Sequence, residues 1–144
     1  MREDWRKRIQ IVVNENKDKQ LSWGEHDCFT FMSQCYEAFY GEQLLDVRGK
    51  YKTLKGAVKY YHKLQETFEE DNIIEYMDRR FGRCKSSLIL HGDIVARPEP
   101  DTESSVFGYA FGTVINNSIA FVAEHGVVFL PLDNGDYIWR PSNV

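Results

Sequence analysis

Apolar positions recur at helical spacing over roughly the first half of the chain and fall into short extended blocks over the rest. Trp5, Ile9, Val12 and Val13 lie on one side of an amphipathic helix running from Glu3 to Asn14. The polar run Asn14 to Gln20 ends it. Leu21 to Cys28 follows, with Gly24 as a breaker and Asp27 placed to cap the next helix. Phe29, Met32, Cys35, Tyr36 and Phe39 form a broad apolar stripe from Cys28 to Tyr40, and Gly41 is a C-terminal stop. This segment reads as the central, buried helix. Asp46 to Tyr51 is a connecting turn. Thr53 can cap a third helix reaching about Lys63, with Leu54, Ala57, Val58 and Tyr61 inward. A fourth helical piece, Glu69 to Phe81, carries Ile73, Ile74, Tyr76 and Met77 on one face and stops at Gly82.

Beyond that point the period is extended. Ile94 and Val95 follow the turn His91-Gly92-Asp93 as a strand, and Pro98 to Ser105 is a polar loop. Val106 to Ile115 and Ser118 to Ala123 read as strands joined at Asn116-Asn117, a dipeptide suited to a hairpin turn. Glu124-His125-Gly126 turns into the strand Val127 to Leu130, and Tyr137 to Trp139 is a last short strand. Helices first and an antiparallel β-meander second predict an α+β fold. No repeat or linker divides it, so residues 1–144 read as one domain.

Composition narrows the function classes. The chain has 144 residues, 42% hydrophobic and 14% aromatic, enough for a packed core without staples. A formal charge of −4, with Lys and Arg scattered among acids, lacks the concentrated basic face of a nucleic-acid binder. Three cysteines, Cys28, Cys35 and Cys84, show no CxxC spacing; disulfide framework and structural zinc are both disfavoured, and a reducing compartment is the simplest expectation. Charges crowd Arg2 to Arg8, and the apolar run Ile9 to Val13 is too short for a signal-peptide core or a membrane span. No export signal or anchor of its own is expected.

Candidate chemistry centres on Asp27-Cys28 at the start of the buried helix. A helix N-terminus offers free N–H groups and a favourable dipole to a thiolate. With Gly92-Asp93-Ile94-Val95 and Phe107-Gly108-Tyr109-Ala110-Phe111-Gly112, this order resembles the NlpC-type papain-like fold. There an Asp-Cys pair opens the buried helix and a His-Val-Gly strand supplies the base. Aligning Phe107-Gly108 with Val-Gly puts Val106 in the histidine position, where it can neither deprotonate the thiol nor protonate a leaving group.

Four short stretches carry a closer resemblance. They are Trp23-Gly24-Glu25-His26-Asp27-Cys28, Tyr51-Lys52-Thr53-Leu54-Lys55-Gly56-Ala57, Gly92-Asp93-Ile94, and Phe129-Leu130-Pro131-Leu132 with Trp139-Arg140. In this order the chain resembles, from about Trp5 to Trp139, a small family that occurs among tail genes of long-tailed phages and prophages. The resemblance implies a protein made in the host cytoplasm and assembled into a virion tail. Other tail-tip or hub proteins would be its partners, gripped through the helical face or the Pro98 to Ser105 loop. It implies a catalytically degenerate scaffold. The alternative is a cysteine peptidase or amidase acting on peptidoglycan stem peptides; a host toxin-like or immunity-type protein sharing the fold is a weaker third.

Each candidate residue has a plainer reading beside the functional one. Cys28 reads as a nucleophile or as a small buried thiol. His26 reads as an improvised base or as a ring whose hydrogen bond fixes its loop, and His91 as a base or a turn residue. Cys35 reads as core. His62 and His125 lack a catalytic setting. His26-x-Cys28 is the one close His/Cys pair and falls short of a tetrahedral zinc set, so no metal and no cofactor are expected. Tyr36, Phe39, Tyr40, Tyr51, Tyr60 and Tyr61 read equally as helix packing or as a docking surface.

Overall fold

The protein is described by a computed structural model over residues 2–44, 49–68, 73–84, 88–99 and 108–141. Four helices, α1 (Trp5–Asn16), α2 (Cys28–Tyr40), α3 (Leu54–Phe68) and α4 (Ile73–Arg80), precede five strands. These are β1 (Ile94–Pro98), β2 (Tyr109–Ile115), β3 (Ser118–Val122), β4 (Val127–Leu130) and β5 (Tyr137–Trp139). The fold is α+β, with an antiparallel sheet in the order β4-β3-β2-β1-β5. The first four strands form the expected meander. β5 leaves it, returning across the sheet to pair with the other side of β1, where Ile138 lies opposite Val95.

α2 has sharp ends because its flanking residues set them. Asp27 sits in extended backbone and its carboxylate accepts from the amides of Phe29 and Thr30, while Thr30 Oγ1 accepts from the Asp27 amide. Gly41 adopts φ 75°, a left-handed stop that costs glycine nothing sterically. The helix is buried on two sides. Phe31, Cys35 and Phe39 pack with Ile9 of α1, whereas Phe29, Met32 and Tyr36 pack with Ile73 and Met77 of α4.

The sheet is buried on both faces. Ile94, Ala96, Phe111 and Trp139 face α2 and α4; Val95, Val114, Ile119, Phe121 and Ile138 form a second core on the far face, against Cys84, Ile89 and Leu132. That is why β2 is apolar almost throughout instead of alternating.

Several boundaries differ from expectation. α1 runs to Asn16 and α3 to Phe68. Leu54, expected inward, is 37% exposed, since it begins α3 at the solvent edge. The fourth helix was expected from Glu69; residues 69–72 lie outside the described residues, as do Val106 and residues 100–105 of the polar loop. Among the described residues no helix is long and apolar enough to cross a membrane.

Candidate functional site

Cys28 is the first residue of α2, 2% exposed, under the sheet. Phe29 meets Phe111 of β2, with ring centroids 4.9 Å apart. Burial pushes the Cys28 thiol far up from its ordinary value, and the neighbouring Asp27 carboxylate adds to this. Backbone N–H groups of Phe111, Phe29 and Cys28 itself pull the other way without prevailing. The thiol is therefore protonated and shielded. The Asp27 carboxylate is fully committed: besides the two helix amides, it accepts from the Gly24 amide at 2.7 Å and the Tyr51 hydroxyl at 3.2 Å.

Neither histidine singled out from the sequence is free to serve this sulfur. The His26 ring is 1% exposed, with Nδ1 at 3.0 Å from Asn16 Oδ1 and Nε2 at 3.1 Å from the Gly126 carbonyl. Asn16 Nδ2 already donates to the Val12 carbonyl and to Gln34 Oε1, which leaves its oxygen facing the ring. Both ring nitrogens thus face acceptors, and a neutral imidazole donates to one of them. Burial lowers the His26 basicity, opposed by the Gly126 carbonyl and reinforced by Lys19.

His91 lies at the other end of α2. Its Nδ1 accepts from the Asn116 amide at 3.0 Å, and its ring lies 4.7 Å from that of Trp5, which in turn packs on Phe39. Tyr40, the last residue of α2, donates to the neighbouring Gly92 carbonyl. At 1.5 Å per residue, Phe39 stands roughly 16 Å along the helix from Cys28. The strand residue brought against the start of α2 is Phe111, which has no acid–base chemistry. Val106, aligned with the histidine position, lies outside the described residues. Among the described residues no group of three His, Cys, Asp or Glu side chains could hold a metal ion.

The short sequence stretches do meet, as joints. Gly24, at φ 91°, lies so close to Tyr51 that a Cβ would collide with the Tyr51 carbonyl. The Tyr51 hydroxyl reaches Asp27, and Thr53 Oγ1 caps α3 by accepting from the Gly56 amide. Arg140, beside Trp139, holds Asp93 through both carboxylate oxygens at 3.0 and 2.9 Å.

The match that places the chain among known proteins covers residues 1–141. The chain belongs to DUF6950, a domain of unknown function. No curated protein matches it in sequence. The DUF6950 match takes in both joints, from Gly24 through Arg140, as well as Cys28 and both histidines.

Sequence reasoning missed Asn16 and Phe111. An Asn near a helix end reads as a stop signal, and nothing local says that it is buried beneath a histidine. Phe111 carries no chemical signal, so only the strand register reveals it.

Proposed function

We propose that this chain is a structural or assembly protein of a phage or prophage tail, associated with the tip or hub. In this reading an NlpC-type, papain-like scaffold serves as a protein-binding module and not as an enzyme. The tail assignment rests on the resemblance of the four sequence stretches. The non-enzymatic part is carried by one observation: Cys28 is buried against aromatic rings while His26 spends both ring nitrogens on Asn16 and Gly126, and His91 lies at the far end of α2 with Nδ1 on the Asn116 amide. A thiol with no base beside it among the described residues lacks both steps of acyl transfer.

A competing reading, cysteine peptidase or amidase, draws on the position of Cys28 as first residue of α2 with the Phe29 and Phe111 amides near its sulfur. That arrangement favours a thiolate. Alkylation of the full-length protein, followed by mass spectrometry across pH with Cys28→Ser as control, separates the two. The expected result is labelling of Cys28 far slower than that of a free thiol until the protein unfolds. Fast labelling at neutral pH would sink the non-catalytic reading. Co-expression with tail-tip and hub proteins tests the partner class, and failure to co-purify or co-assemble with any of them would count against the tail assignment.

A further inference from the structure

Among the described residues β4 forms one edge of the sheet and pairs with β3 alone. Among the described residues no backbone hydrogen bond reaches the outer side of Val127–Leu130. Val128, Phe129 and Leu130 are 38%, 46% and 37% exposed, three consecutive apolar side chains on an open edge. Edge strands of isolated proteins usually carry charge, a bulge or a cover; among the described residues the one such device here is Pro131, just beyond the strand. Val128 and Leu130 line a groove with Ala110, Phe121, Arg97 and Glu99, with a volume of about 380 Å³.

The charges at this groove select among occupants. Arg97 is already spent, bound to the Asp136 carboxylate and the Pro131 carbonyl and stacked over Phe121 at 5.0 Å. Glu99 lines the same groove, and among the described residues no ion pair joins it. A second copy fits poorly. Antiparallel self-pairing of β4 would run Glu124 to Gly126 of each copy along Pro131 to Asp133 of the other. The edge of Glu124 to Gly126 is already taken by Lys19 to Leu21: Gly126 donates to the Lys19 carbonyl and Leu21 to the Glu124 carbonyl. The Glu124 and Asp133 charges would also face each other.

We propose that the β4 edge accepts an extended segment of a partner protein, apolar at alternate positions over the Val128–Leu130 groove and bearing Lys or Arg toward Glu99. Main-chain pairing along four residues supplies register, and the groove and the Glu99 carboxylate supply selectivity. The inference stands whether or not the partner is a tail component.

The test is selection of a random ten-residue peptide library on the full-length protein, followed by binding measurements on Val128→Lys and Glu99→Lys. Both substitutions are on solvent-reachable side chains, and thermal unfolding checks that each variant folds. The expected outcome is enrichment of alternating apolar peptides with a basic end, weakened roughly tenfold or more by either substitution, with amide shifts along β4. No enrichment, peptides indifferent to both substitutions, or concentration-dependent dimerisation abolished by Val128→Lys would each overturn the proposal. A failed selection leaves the tail reading untouched, and failed co-assembly with tail proteins leaves this one untouched.

Discussion

Asn16, His26 and Gly126 come from three segments and meet where solvent does not reach. Burial holds the His26 imidazole below its ordinary value of 6.5. The unfolded chain therefore binds a proton that the folded one resists, and the contribution of His26 to stability is full above pH 6.5 and declines as pH falls through it. Nearby Lys19 and His125 oppose the added charge and Asp27 favours it. The thermal midpoint should drop between about pH 7.5 and about pH 5.5. His26→Gln should cost about 1–3 kcal/mol at the upper pH and flatten that slope; an unchanged slope would remove His26 as its source. The loop-fixing role of His26 could be read from its place in a turn before a capped helix. Its partner 100 positions away could not.

Helix and strand limits were largely open to inspection because they depend on neighbours in sequence. Asp27 and Gly41 bracket α2 by capping chemistry alone, and Asn116-Asn117 marks the β2–β3 hairpin, with Asn116 at φ 59°. The partner of β5 was not open in the same way. Its three residues would suit either edge of the sheet, and the choice is made by Trp139, whose Nε1 donates to Asp78 at the end of α4, and by Arg140 on Asp93. Asp93 has 1% of its side chain exposed, so removing its cation leaves a buried charge with only the Leu90 amide, among the described residues, as its side-chain partner. Arg140→Ala should lower stability by about 3–5 kcal/mol in denaturant titration. Arg140→Lys should recover only part, since lysine cannot form the two parallel bonds.

Over the whole molecule, one sheet separates two apolar layers of different origin. The helix-side layer is closed by α2 and α4, whereas the far layer is roofed by irregular segments bearing Cys84, Ile89 and Leu132. Arg97 pins that roof, binding Asp136 and the Pro131 carbonyl from its place on β1. The Asp136 side chain is wholly buried, so Arg97→Ala should cost ~3 kcal/mol and raise binding of a hydrophobic dye to the native protein. A loss of stability without added dye binding would place the roof elsewhere.

Spacing, caps and turn residues act within a few positions, so the kinds and order of elements, the ends of α2 and the α+β class were decided locally. Long-range packing decided the rest: β5 beside β1, Phe111 at the start of α2, His91 at its far end, and β4 at the sheet edge. Arg140 and Asp93 lie 47 positions apart, and nothing in either neighbourhood names the other. A side chain's chemistry depends on what is packed against it, and for Cys28 those neighbours arrive from a strand more than eighty residues away.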